Sequence, residues 1–599
     1  MPRVRSLAPA FALALATAAI GIAQLPPADA EQELPTPRLP AATRGPVRIV
    51  FDPTGKQAFI TESDEGTVAV VDAASGRILR RLETGGKQPE GIAYAPGKAL
   101  LVANAFSGSI AAFDPTTWKR TALLSLRGEP ADVVIARDGR RAFVSLAQLD
   151  EVAVLTLPEL RVTHRIPVGD RPRPLALTPD GGTLLVGNFQ GGDVSLIDTN
   201  TLRERRRVEL TGVNLRGLSV SPDGRRAFVT GQIPANTRAT REPLDIWTNT
   251  VFTFDVLQPP SPPGSAGPAD VGAEGWIDFS LGSSPDPDGV VALKEDLVAV
   301  ALAGSDQALL VRTPGPYKRS YDPVIVRRVA VGARPRGIAA TPNGKEIWVA
   351  NELDSTISVL DASDLRPLRR IELGIPNRRD VRLQGRYLFG NARLARGRQF
   401  TCASCHPGGN TDGLTWEFAH VPDGLPFRNT RNLRGGITLT GPFRWSGHEE
   451  QIEDFFQDEV VGLLQGPRQP HSALHALWNM MHDFPMPPNP YRTEDDRLTP
   501  AAERGKALFT GKAGCSDCHA GEYHGGTGIK AYVGTTREEL PLDVPHLVGV
   551  HDSAPYLHDG RAATLEEIFE KHNPEQRHGK AHQLTRPELA DLLRYVREL

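Results

Sequence analysis

The chain has 599 residues, of which 40% are hydrophobic and 23% charged, with a formal net charge of −3. That length exceeds what one ordinary core accommodates, so two or more domains are expected. The near-neutral charge gives no electrostatic case for nucleic acid or an anionic membrane as a partner.

The first 30 residues read as a secretory signal: Arg3 and Arg5 form a positive start, Leu7 to Ala23 is apolar and small, and Ala28-Asp29-Ala30 fits a cleavage site before Glu31. A retained anchor is the alternative, and the alanine richness and Pro26-Pro27 weigh against it. No other run approaches the length of a spanning helix, so the mature chain is expected to have no membrane span and to be exported to the bacterial periplasm. Residues 31–45 read as a polar, proline-containing linker.

From Pro46 the chain repeats itself. Turn glycines fall at Gly55, Gly97, Gly139, Gly181 and Gly224, in steps of 42 or 43, and again at Gly344. Each is followed by a short apolar strand, such as Leu101-Val102-Ala103-Asn104, and then by a second strand ending near Asp72, Asp114, Asp198, Asp255 or Asp361. A period near 42 with short strands means propeller blades, because each blade needs its neighbours to bury its faces. Seven units are counted over 46–375, the sixth, near Leu293 to Val311, being the most degenerate. Residues 233–290, rich in Pro, Gly and Ser, read as an insertion projecting from blade five, either a plain loop or a cover for the domain that follows. Trp247 and Trp276 are its apolar anchors. The region resembles the YVTN family of β-propellers. Some propeller relatives are lactonases, but the histidine poverty of these blades favours a scaffold or docking role.

Of 15 histidines only His164 precedes residue 400, so imidazole chemistry belongs to the C-terminal third. There Cys402-Ala403-Ser404-Cys405-His406 and Cys515-Ser516-Asp517-Cys518-His519 are two C-x-x-C-H motifs that use all four cysteines of the chain. This is the attachment motif of c-type haem: two thiols add to the haem vinyl groups and the adjacent histidine becomes the proximal iron ligand. A zinc site, a redox dithiol or structural disulfides are the alternatives, and each makes both histidines coincidental. The copies lie 113 residues apart, and the offset continues: Gly408 maps to Gly521, Pro442 to Pro555, Phe443 to Tyr556, Gly447 to Gly560 and Phe456 to Phe569. Two covalently bound c-type haems on a duplicated module are therefore expected, the first over 380–490 and the second over 491–599. Thr499-Pro500 reads as a helix start, and Thr585 with Glu588 as the capping box of a closing amphipathic helix. The fold expected is thus multidomain: an all-β seven-bladed propeller followed by a mostly α pair of cytochrome c-like modules.

Gly505-Lys506-Ala507-Leu508-Phe509 before the second motif, and Ala554-Pro555-Tyr556-Leu557-His558-Asp559-Gly560 after it, resemble the bacterial dihaem cytochrome c peroxidase/MauG family. The resemblance implies one peroxidatic haem and one that relays or stores electrons, served by a small redox protein. In a MauG-like version a protein substrate is presented by the propeller. It places the distal ligand of the second haem at His572 and a displaceable distal ligand of the first near His420. Where the first iron is open, Glu453 or Glu459 stands nearby as acid and base. Trp445 falls where the family has a tryptophan between the haems, and Phe455 where it has a glutamine. The family also binds calcium between its modules, and Ser553 and Pro555 align with two contributors. Trp478 to Tyr491 reads as the inter-haem linker, with Met486 and His482 as fallback axial ligands. The rival reading is a non-enzymatic electron carrier with two saturated haems.

Overall fold

Each apolar repeat becomes the second strand of a four-stranded antiparallel sheet, and the seven sheets are formed by strands consecutive in sequence. The computed structural model describes residues 42–234, 247–257, 276–282, 284–313, 324–417, 425–536 and 539–599. The expected signal, all but the end of the linker, and His420 lie outside these residues. The blades span 46–83, 89–125, 130–167, 172–209, 213–280, 287–330 and 335–372.

The second strands are apolar throughout because both of their faces are buried. In blade two, Leu100 and Val102 pack toward blade one, whereas Leu101 and Ala103 pack toward blade three. The same division recurs around the ring, so an apolar cluster fills each gap between neighbours. The outermost strands lack such a run. Arg203–Glu209, with four arginines, is mostly exposed, which is why sequence reading resolved only two strands per unit.

Gly55, Gly97, Gly139, Gly181, Gly224 and Gly344 all take the left-handed conformation, with φ between 63° and 77°. Blade six replaces that turn by the glycine-free segment between Ala292 and Leu297, which is why its repeat is hard to see. The stretch 233–290 is not one insertion. It contains the last two strands of blade five, Trp247–Asp255 and Trp276–Ser280, and the start of the first strand of blade six, Pro287–Ala292. The prolines and glycines between these strands hid the period.

The ring closes without a shared strand. Phe51 and Ile60 of blade one pack directly on Trp348 and Ile357 of blade seven. Trp348 is fully buried, meets Phe51 edge-on at 5.1 Å, and donates its indole N–H to Glu346. Truncating a tryptophan in such a place costs about 3–5 kcal/mol. Trp348→Ala should therefore lower the midpoint of thermal unfolding followed by circular dichroism. Melting indistinguishable from the unaltered protein would mean that this seam does not hold the ring.

Among the described residues seven helices follow: α1 (Val381–Phe389), α2 (Cys402–Cys405), α3 (Ile452–Asp458), α4 (His471–His482), α5 (Pro500–Thr510), α6 (Leu565–Glu570) and α7 (Arg586–Glu598). Thr499 caps α5, and Thr585 with Glu588 forms the capping box of α7, as the sequence predicted. In each module the opening helix crosses the closing helix at a glycine. A Cβ at Gly385 would run into the carbonyl oxygen of Ala476 on α4, and one at Gly505 into that of Asp591 on α7. So α4 closes the first module as α7 closes the second. The inter-haem linker consequently begins after His482, because Trp478 to His482 belong to α4 and Met480 and Met481 fill its core.

The duplication is visible in the backbone. Gly408 and Gly521, Arg444 and Leu557, and Gly447 and Gly560 share positive φ values. The bridge Phe443 to Glu449 has its counterpart in Tyr556 to Ala562.

One end of the propeller carries both modules. Arg386 of α1 reaches Asp64 and Glu352 of the blades, each at 2.7 Å, and the Tyr387 hydroxyl donates to Asp306 at 2.9 Å. From the second module, Asp552 pairs with the buried Arg171, which also holds Glu129 at 3.0 Å. A protein partner docked on the propeller must use the rim or the opposite end.

Candidate functional site

The second C-x-x-C-H motif opens on a cavity of about 450 Å³ lined by Cys515, Cys518 and His519. The short turn Cys515–Asp517 follows α5, and the His519 N–H bonds back to the Cys515 carbonyl at 2.9 Å, which fixes the spacing of thiols and imidazole. His519 Nδ1 lies 3.1 Å from the His524 carbonyl. A carbonyl only accepts, so Nδ1 carries the proton and Nε2 is the free ligand atom. Burial holds this imidazole below its ordinary pKa, in the neutral form that binds metal.

Facing it across the cavity is His578. The ring centroids are 6.4 Å apart and the planes differ by 25°. Imidazole–metal bonds are about 2.0–2.1 Å, so two such bonds end to end, with the rings themselves, fill that separation. Burial pushes His578 down to about 4. Its place is set by Asn573, whose amide accepts from the His578 N–H at 2.9 Å and donates to the His578 carbonyl at 3.1 Å. Phe569 lies against the ring at 5.6 Å. His572, expected as the axial ligand, lies just past the end of α6 with its N–H on the Glu567 carbonyl and is absent from the cavity lining. The family offset counted residues through a helix end, whereas the turn at Asn573-Pro574 brings in the histidine six positions later.

Trp445 lines the same cavity although it belongs to the first module. It donates to the Asn429 carbonyl at 3.0 Å, Arg431 covers its ring at 4.9 Å, and its own carbonyl accepts from Asp543. The tryptophan therefore stands in the wall between the modules.

The first motif is held differently. Thr401 and Ser404 cap α2 reciprocally, and Cys402 and Cys405 sit in apolar packing with Phe400, Leu464, Trp247 and Trp416. Burial pushes the Cys402 thiol up to about 12 and the His406 imidazole down to about 4. His406 Nδ1 is buried without a hydrogen-bond partner among the described residues. The propeller grips this turn from below. Thr401 and Ser404 donate to Asp286, the latter at 2.7 Å, Arg216 donates to the Ala403 carbonyl at 3.1 Å, and Asn214 to the Ser404 carbonyl at 2.7 Å.

Of the two carboxylates expected here, Glu459 is near the motif and Glu453 is not brought to it. Glu459 starts a π turn, Glu459–Leu463, that continues α3, and such turns recur at functional sites. It pairs with Arg444 at 2.9 Å, burial raises its pKa, and its charge in turn raises that of Cys402. Glu453 is half-buried on α3 and takes no part in the Arg444 cluster. His420 is outside the described residues, so the first distal side has no described histidine from that segment. His482 bonds Thr438 at 3.0 Å and Met486 packs at Gly549, so neither fallback ligand faces the second cavity. Sequence reading passed over Asp412, which is fully buried beside Cys405 and pushed up to about 7 by burial.

Asn429, also unforeseen, donates its side-chain N–H to the Pro555 carbonyl, and its Oδ1 is buried without a partner.

Two C-x-x-C-H turns in helical cytochrome modules, seated on a seven-bladed ring, define a c-type cytochrome fused to a β-propeller, a redox protein with covalently bound haem. Residues 43–212 match the lactonase family of 7-bladed β-propellers, and residues 502–599 match the cytochrome c family. Among curated proteins, the chain is 27% identical over 271 residues to the hydrazine synthase subunit gamma of Kuenenia stuttgartiensis, covering 36% of this chain and 76% of that one. It is 28% identical over 240 residues to the methylamine utilization protein MauG of Methylorubrum extorquens, covering 31% and 66%. It is 22% identical over 260 residues to the cytochrome c551 peroxidase of Nitrosomonas europaea, covering 34% and 76%.

Proposed function

We propose that the chain is a periplasmic dihaem oxidoreductase of the peroxidase/MauG kind, with a working first haem and an electron-relaying second haem. The observation that carries this reading is the opposition of His519 and His578 across a cavity whose wall includes Trp445 of the other module. A haem held there by His519 and His578 would supply one-electron chemistry, at a potential lower than a His/Met pair gives. Such a site would pass electrons and, with both imidazoles engaged, would leave no position for substrate.

The first motif, with His406 as proximal ligand, is then the place for an oxidant. Glu459 keeps a carboxyl at the edge of that site, raised by burial and anchored by Arg444, where it can take a proton from one peroxide oxygen and return it to the other. Trp445 lies between the centres as relay. The reductant is a small redox protein. None of the described helices is long and apolar enough to cross a membrane.

Electron paramagnetic resonance of the haem-loaded protein, as isolated, half-reduced and with hydrogen peroxide, tests this. One high-spin haem that reacts with peroxide supports the enzyme. Two low-spin haems inert in both states would make the chain an electron carrier docked through its propeller.

Calcium between the modules fits the same reading. Asn429 Oδ1, lacking a partner, lies beside the Pro555 carbonyl, and Ser553 is two residues away from it in the chain. A hard cation there takes oxygen ligands only, with the amide turned so that Oδ1 points inward. Removing calcium with a chelator should lower thermal stability and slow electron transfer between the haems, and adding calcium should restore both. No change in either quantity would exclude the site.

A further inference from the structure

Beside the first motif stand two tryptophans that the reading above does not use. Trp416 belongs to the first module and Trp247 to the third strand of blade five, and their rings meet edge-on with centroids 4.9 Å apart. Both are buried, at 8% and 1% exposure, in the apolar cluster that also holds Cys402 and Cys405. Their indole N–H groups have different surroundings. Trp416 donates to Asp412 Oδ2 at 3.1 Å, while Asp412 Oδ1 accepts from the Leu414 N–H at 2.9 Å. Trp247 turns its N–H toward the Cys405 sulfur, a weak acceptor, and has no closer partner.

We propose that Trp416 and Trp247 are a redox-active pair that takes an oxidising equivalent from the first haem, with Asp412 as the proton acceptor. With the haem group taken beyond its ferric state by a peroxide or by a photogenerated one-electron oxidant, Trp416 would give it one electron and pass its Nε1 proton to the ionised Asp412 Oδ2, leaving a neutral radical on the indole and a carboxylic acid beside it. An electron vacancy on Trp247 has no carboxylate to release its proton to, so it stays cationic and moves to Trp416. The spin therefore rests on the residue with the hydrogen-bonded carboxylate. The fully buried Asp412 is suited to this, because a carboxyl held near neutrality both releases and accepts a proton readily. The pair also joins the haem site to the propeller by an aromatic contact, beside the hydrogen bonds that Asp286, Arg216 and Asn214 make with the motif.

This inference rests on the first haem being a redox centre, and its test does not require peroxide reactivity. The haem-loaded protein is oxidised by flash photolysis with a ruthenium polypyridyl sensitiser and a sacrificial electron acceptor, and radicals are read by optical and paramagnetic resonance spectra. A neutral tryptophan radical is expected. It should be lost in Trp416→Phe, become a cation radical in Asp412→Asn, and be unchanged in Trp478→Phe. Haem spectra confirm that each variant is assembled, and Trp247→Phe, which keeps the Asp412 bond, should retain the neutral radical at reduced yield. A neutral radical that survives in Trp416→Phe, or no tryptophan signal in the unaltered protein, overturns the pair. Peroxide added separately reports on the peroxidase reading: a haem inert to peroxide with an intact photochemical radical sinks that reading alone.

Discussion

On the proposed reading, His578→Ala is expected to convert the haem held at His519 from low-spin to high-spin, a large spectroscopic change. The unaltered site has two neutral imidazoles 6.4 Å apart, and only one of them belongs to the C-x-x-C-H motif. The other reaches the cavity from a six-residue turn that Asn573 ties at both ends, so its position is imposed by the fold. Removing the imidazole would leave a haem at this site with His519 as its one imidazole donor and would raise its potential, because one of the two strong donors is gone. Asn573→Ala should produce a mixture of both spin states, since it frees the turn without deleting the ligand. His572→Ala is the control and should leave the spectrum unchanged. A low-spin second haem in His578→Ala, or its loss in His572→Ala, would return the axial role to the helix end.

Arg171→Ala is expected to cause the largest loss of stability. Its guanidinium is 5% exposed and joins three parts of the molecule: Glu129 of blade three, its own blade four, and Asp552 of the second cytochrome module. Deleting it leaves two buried carboxylates facing each other, with Arg173 and Arg434 as the remaining cations. Breaking a buried pair from one side costs about 3–5 kcal/mol, because the abandoned charge keeps its desolvation penalty. The expected result is a lower melting temperature and a propeller that proteases release from the cytochrome modules. A melting curve within about 0.5 kcal/mol of the unaltered protein would place this contact among ordinary surface pairs.

The same contact predicts a response to acid. Burial raises the pKa of Glu129, but the facing guanidinium groups outweigh it and hold it down at about 2, and Glu352 at the Arg386 contact is likewise held at about 2. Both ordinary values are 4.5, so the folded pKa is depressed. The stabilisation is complete above the ordinary value and is lost as pH falls through the folded one. Docking of the modules on the propeller should weaken between about pH 4.5 and 2.

What the sequence disclosed follows from the kind of signal each feature leaves. The C-x-x-C-H motifs are local and use rare residues, so Cys402, Cys405, His406, Cys515, Cys518 and His519 could be singled out without a fold. The blades were legible because their second strands are buried on both sides and repeat at a fixed interval. Blade five was misread because its third and fourth strands are separated by proline-rich sequence that breaks the interval. His578 was missed for a related reason: it lies in a turn, where no periodicity links sequence distance to direction. Asn429, Asp412 and the partnership of Trp247 with Trp416 depend on segments 126 to 169 positions apart, or on burial that a lone polar residue does not announce.

The grip of Asp286, Arg216 and Asn214 on the first motif bears on the order in which a haem-loaded molecule would be made. Ala403 and Ser404, the two residues between the cysteines, lie against the propeller at 5% and 0% exposure. An enzyme that joins haem to Cys402 and Cys405 needs that stretch as open chain. On the reading proposed above, haem addition comes before the motif settles on the ring, and the last step of maturation is a docking event in which the loaded loop is locked onto a finished platform.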